Sequence, residues 1–190
     1  SCVIGYEAVS TGILTGTRNI FMGYQAGRNA TSPEANTIIG AQACADGVLT
    51  GNENTIIGES AGKAMTSATR TTAIGYGAAN GFDTEADNLA IGYDALGGSV
   101  AGGEKNIAIG NYAGDAITSA DYSVLIGHQA GTGITTSASI IAIGYQAGKT
   151  ISTATGQSVF IGHQAGAQLT GGTNVAIGYE AMKGASNSTA

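Results

Sequence analysis

Charge, cysteine, proline and tryptophan are all scarce in this chain. Of its 190 residues 11% are charged, two are Cys, one is Pro and none is Trp. Seven Lys and Arg stand against thirteen Asp and Glu, a net charge of −6. With no basic stripe to neutralise phosphates, no nucleic-acid partner is expected. No apolar run approaches the roughly 20 residues that a membrane-spanning helix needs, so no membrane insertion is expected either. Two cysteines are too few for a disulfide scaffold. Lone thiols are the simpler reading of Cys2 and Cys44, which fall two repeats apart and so about 10 Å apart along a stacked axis.

Gly is abundant, at 32 residues, and apolar residues make up 43% of the chain. That apolar fraction is too high for a disordered polar linker. Each Gly inside a helix costs roughly 1 kcal/mol relative to Ala, so short strands joined by tight turns fit better. The glycines are also periodic. One recurs at 5, 23, 40, 58, 75, 92, 110, 127, 144, 162 and 178, eleven copies spaced 16 to 18 residues apart. A period this short specifies a solenoid, and residues 1–190 form one repeat domain with no internal boundary. The chain opens inside a repeat, at Ser1-Cys2-Val3-Ile4-Gly5, and solenoids normally carry polar end caps. A fragment of a longer fibre or a processed subunit is the expectation.

Each column of the repeat has its own character. The residue before the Gly is Ile4, Ile39, Ile57, Ile74, Ile91, Ile109, Ile126, Ile143, Ile161 or Ile177, with Met22 in the remaining copy. The residue three before it is also largely apolar or Thr, and two residues apart on a strand means one shared face. That face is assigned as the core. The intervening column points the opposite way and holds Phe21, Ile38, Ile56, Ala73, Ala90, Ala108, Leu125, Ala142, Phe160 and Ala176. A strand that is apolar on both faces is covered on both. This second row is therefore assigned as the interface of a homo-oligomer, most simply a bundle of parallel solenoids.

After the Gly, Ala stands at the third position of all eleven copies, a tight place. Gly27, Gly62, Gly114, Gly131, Gly148 and Gly166 follow it where positive φ is expected. A second short strand with an apolar residue and Thr, as in Leu49-Thr50 and Ile117-Thr118, should form the opposite wall. Asn19, Asn36, Asn54, Asn88, Asn106 and Asn174 precede the Gly by four and should form a hydrogen-bonded ladder.

Few residues suggest chemistry. Gly58-Glu59-Ser60-Ala61-Gly62 fits the G-x-S-x-G elbow, but the same columns elsewhere read Gly-Tyr-Gln-Ala-Gly, so Ser60 simply replaces a Gln. His128 and His163 share a column two coils apart, too far to ligate one metal within a chain. Their column, with Tyr24, Tyr76, Tyr93, Tyr145 and Tyr179, is a candidate ligand-facing ladder. Its rings either stack on one another or receive a cell-surface glycan or receptor. A Thr ladder that orders water is broken at Val100-Ala101, and Asn29-Ala30-Thr31 and Asn187-Ser188-Thr189 match the glycosylation pattern by chance. No paired carboxylates line one face as a glycosidase would need. No enzyme activity, cofactor or metal is expected.

Asn106-Ile107-Ala108-Ile109-Gly110 and Asn174-Val175-Ala176-Ile177-Gly178 resemble the head repeats of trimeric autotransporter adhesins. The longer Ile-Gly-Tyr-Gln-Ala-Gly form, as at Ile143 to Gly148, is similar to repeats of phage tail fibres. The resemblance covers all eleven copies. It implies an all-β, left-handed parallel β-roll packed as a parallel homotrimer. It also implies an attachment rod in a virion tail fibre, or alternatively a bacterial adhesin head or self-stacking filament at the cell surface.

Overall fold

The computed structural model describes residues 1–98, 103–151, 156–169 and 172–184. Every coil contributes one three-residue strand, ending on the residue before the periodic Gly. The strands are β1 Cys2–Ile4, β2 Ile20–Met22, β3 Thr37–Ile39, β4 Thr55–Ile57, β5 Thr72–Ile74, β6 Leu89–Ile91, β7 Ile107–Ile109, β8 Val124–Ile126, β9 Ile141–Ile143, β10 Val159–Ile161 and β11 Val175–Ile177. They form one parallel sheet in strict chain order, each residue paired with its own column, as in Ala90↔Ala108 and Ala108↔Leu125. The fold is an all-β solenoid. Among the described residues there is no helix.

The periodic Gly explains itself. Its φ lies between 127° and 143° in all eleven coils, a region open to Gly alone in practice. A Cβ at any of the first ten would overlap the main chain of the next coil's Gly. Three further positions per coil take left-handed backbone: two after the Gly (Gln25, φ 54°), four after it (Gly27, φ 58°) and five before it (Arg18, φ 61°). The six glycines expected at positive φ all adopt it, at 54° to 63°. The other left-handed sites carry side chains from Gln and Asp to Val9, Cys44, Leu96 and Tyr112, at about 1–2 kcal/mol each. The coil-to-coil bonds of the turns hold them there, such as Gln25 N–H to Tyr6 O at 2.9 Å.

The two faces of the strand are the reverse of the sequence assignment. Phe21, Ile38, Ile56, Ala73, Ala90, Ala108, Leu125, Ala142, Phe160 and Ala176, expected at an oligomer interface, are all buried within the chain's own core. Ile39, Ile57, Ile74, Ile91, Ile109, Ile126 and Ile143, expected in the core, are only half-buried on the outer face. Ile161 is 36% exposed, Ile4 52% and Ile177 65%. The corners of the coil decide this parity. Asn at four before the Gly is buried, as at Asn106, and alternation from it turns the residue two before the Gly inward. The invariant Ala three after the Gly is buried as well, from Ala26 to Ala165, and closes the same interior.

Size complementarity marks the inner column as core. Where it carries Phe, the residue four after the Gly is Gly: a Cβ on Gly27 would overlap the Phe21 ring, and one on Gly166 the Phe160 ring. Where it carries Ala90, that position is Leu96, fully buried. A Cβ on Gly114 would come within 2.8 Å of both Leu96 and Leu125, so neighbouring coils fill each other's gaps. The outer Ile column, by contrast, keeps one size throughout.

Opposite the sheet, Leu49, Met65, Ile117, Ile134 and Leu169 are buried and supply the second wall, as expected. No second strand forms there among the described residues. The coils are joined instead by single bonds such as Thr50 N–H to Thr66 O at 2.7 Å and Thr118 N–H to Thr135 O at 2.9 Å. Val100-Ala101 and Asn187-Ser188-Thr189 lie outside the described residues.

The Asn ladder is internal. Asn106 Oδ1 accepts from Ser123 N–H at 3.0 Å while its Nδ2 donates to Ala120 O at 2.7 Å. Asn36 and Asn54 do the same for their own next coils. Each amide thus satisfies two buried main-chain groups that the corner would strand. Cys2 is exposed and Cys44 buried, both as free thiols.

Candidate functional site

The turn just after the periodic Gly puts one side chain per coil along a single solvent edge. Tyr24, Tyr76, Tyr93, Tyr145 and Tyr179 are exposed there, as are His128 and His163. Because the coils stack in register, these rings meet at near the coil spacing. His128 and Tyr145 lie 5.5 Å apart at 10°, Tyr145 and His163 5.0 Å at 19°, and His163 and Tyr179 5.1 Å at 15°. Tyr76 stacks on Tyr93 at 5.1 Å and 9°, and Tyr6 on Tyr24 at 5.9 Å and 3°. Within an unbroken run the flat faces of a ring are covered by its neighbours, and the ring that ends a run keeps one face open.

Coil seven carries Asn111 in this column, and Tyr112, one residue later, swings in to bridge the row. Its ring lies 5.3 Å from Tyr93 and 6.2 Å, edge-on, from His128. Asn111 Oδ1 takes the Tyr93 N–H instead, at 3.0 Å. Sequence reasoning missed Tyr112; the signal was an Asn-Tyr pair where other coils read Tyr-Gln. The Asp94 carboxylate and then Tyr112 raise the Tyr93 phenol above its ordinary value.

A second row, also missed, runs beside the rings. Two residues after the Gly, Gln146 Nε2 donates to Gln129 Oε1 at 2.7 Å and Gln164 Nε2 to Gln146 Oε1 at 2.7 Å. Gln25 likewise donates to Glu7 at 2.6 Å. The recurrence of Gln in one column of a parallel stack was the available clue.

The gaps in the two rows overlap in coil four. Ala41 and Glu59 interrupt the rings between Tyr24 and Tyr76, and Ser60, Gly77, Asp94 and Tyr112 stand in place of Gln in the adjoining column. One face of the Tyr76 ring, 48% exposed, is left without a stacking partner.

No catalytic group assembles around the other motifs. Ser60 sits on a left-handed turn in coil four with no helix after it, and both His rings lie in coils eight and ten. Tyr145 stands between the two His rings. Among the described residues no group of three His, Cys, Asp or Glu side chains converges, and no helix is long and apolar enough to cross a membrane. The Thr hydroxyls turn inward to the backbone, as Thr118 Oγ1 donates to Thr135 O at 3.1 Å.

Charged side chains also pair along the stack. Arg70 Nε donates to Asp87 Oδ1 at 2.6 Å and Nη2 to Oδ2 at 3.0 Å. That hydrogen bond holds the Asp87 carboxyl below its ordinary value. No family model, curated protein or solved structure matches the chain.

Proposed function

We propose that the chain is a segment of an attachment rod, a homotrimeric fibre of the phage tail-fibre or receptor-binding kind, working outside the cell. One observation carries this reading: an unbroken apolar column runs along the outer face of the sheet, and the chain covers it only in part. Parallel sheets occur almost only with both faces covered. Here the inner face packs on the chain's own core, while Met22, Ile39, Ile57, Ile74, Ile91, Ile109, Ile126, Ile143 and Ile161 line the outer one. Copies of the same chain are the natural cover, since a uniform column one coil apart meets an identical column in register along the whole rod. The resemblance of the repeats to tail-fibre and adhesin-head repeats supports three copies about one axis. The oligomer contact is thus assigned to the Ile column, not to the Ala and Phe column beside it.

Such a rod acts mechanically and by multiplicity. In-register hydrogen bonds resist bending, and three copies of any surface contact multiply a weak affinity. The test is mass in solution. The wild-type chain should run at three times 18.6 kDa. An Ile109→Asp/Ile126→Asp variant should run as one chain with its β-type circular dichroism retained. A wild-type monomer, or a variant that stays assembled, overturns the reading.

A further inference from the structure

We propose that the joint break in the ring and Gln rows is a saccharide-binding subsite, taking a neutral hexopyranose. It rests on the attachment half of the reading above and gives that attachment a chemistry.

A regular repeat loses its regularity at a cost. In coils that read Gly-Tyr-Gln-Ala-Gly the ring stacks and the amide bonds its neighbours, so each column is self-satisfied. At Glu59-Ser60 one coil gives up both kinds of contact, and at Gly77 the next coil gives up the amide while keeping its ring. What results is a cleft of 540 Å³ lined by Asp46, Ser60, Lys63, Tyr76 and Asn80. That volume falls inside the roughly 300–1,000 Å³ of ligand sites.

Its lining suits a sugar. The free face of Tyr76 is a flat apolar platform about the size of a pyranose ring, whose axial C–H groups pack on such a face. Around it stand donors and acceptors together. Among the described residues, neither the Ser60 hydroxyl nor the Asn80 amide makes a side-chain hydrogen bond within the chain. Lys63 Nζ stands 3.6 Å from Asp46 Oδ2, and Arg28 Nη2 stands 3.7 Å from Asp46 Oδ1. These separations exceed a good charge-assisted hydrogen bond, so the ion pair retains capacity for a vicinal diol between its members. Within the lining itself one cation, Lys63, meets one carboxylate, Asp46, which suits a neutral polyol. Three chains would present three such clefts at one level of the rod.

The test uses ligand-observed saturation-transfer NMR on the full chain, with methyl glycosides of glucose, galactose and mannose as probes. At least one should receive saturation at its ring C–H protons. A Glu59→Tyr/Ser60→Gln variant restores the repeat's own Gly-Tyr-Gln-Ala-Gly, covers Tyr76 and fills the cleft. It should keep its melting temperature and mass and lose binding at least about tenfold. Asn80→Ala, which alters no stacking, should weaken binding in the same direction. No saturation of any of the three probes, or undiminished binding by the filled variant, overturns the proposal. The mass measurement reads the rod independently. A trimer that binds no sugar refutes the subsite alone, and a monomer that binds one refutes the trimer alone.

Discussion

The core of coil ten offers a test of how this solenoid is packed. Phe160 fills the interior, and Gly166 faces it at φ 63° with ring Cγ only 2.9 Å from where a Cβ would lie. Coil six solves the same space the other way round, with Ala90 and Leu96. Phe160→Ala alone removes a buried ring and should cost about 3–5 kcal/mol. Gly166→Leu alone drives a side chain into that ring, at about 1–3 kcal/mol for overpacking and about 1–2 more for left-handed backbone. If the two sites share one volume, the double variant Phe160→Ala/Gly166→Leu should cost less than the sum of the two single changes, with a coupling of about 2–3 kcal/mol. Urea unfolding followed by circular dichroism measures all four corners of the cycle. Costs that simply add, leaving the double variant the least stable, would refute the claim that the inner column and the turn fill one space.

Further outcomes follow from the same geometry. Ala108→Asp should unfold its coil, because it buries a carboxylate without a partner at several kcal/mol. Ile109→Asp next door should leave a single chain folded, and thermal melts of the two variants distinguish them. Asn106→Ala leaves the Ser123 N–H and Ala120 carbonyl without their partner and should cost about 2–4 kcal/mol by urea titration. Asp87 has a depressed carboxyl pKa, so its ion pair with Arg70 is fully present above the ordinary carboxylate range and is lost as pH falls through the lowered value. An NMR titration should place Asp87 below an ordinary Asp, and Arg70→Gln should bring it back up. Burial pushes the Cys44 thiol up to about 12. An aromatic disulfide reagent at neutral pH should therefore modify Cys2 alone in the native chain, and both thiols in denaturant.

Much of the candidate site was legible in columns. The ring row could be read because Tyr and His recur at one offset from the Gly, and in-register stacking follows from parallel pairing. Tyr112 was hidden because its coil moves the ring by one residue, and a column count sees only Asn111. The Gln row was visible as a column but gained no role there, since its value comes from amides meeting across coils. The cleft at Tyr76 was the least legible. Ser60 read as a single replaced Gln, and only the neighbouring gaps at Ala41, Glu59 and Gly77 turn that replacement into a space.

By itself the sequence determined the period, the number of coils, the strand in each and the register between them. The reason is local: a Gly that only Gly can occupy recurs at every coil and locks each strand to the next. It also determined that both faces of the strand are apolar. Which face is inside was decided mainly by the tertiary structure. Alternation along a three-residue strand carries no sign where every residue is apolar, and only the Thr that opens β3, β4 and β5 marks the outer face. The sign comes from the corners, where buried Asn and buried Ala turn the variable Ala-to-Phe column inward. The uniform Ile column is left facing out.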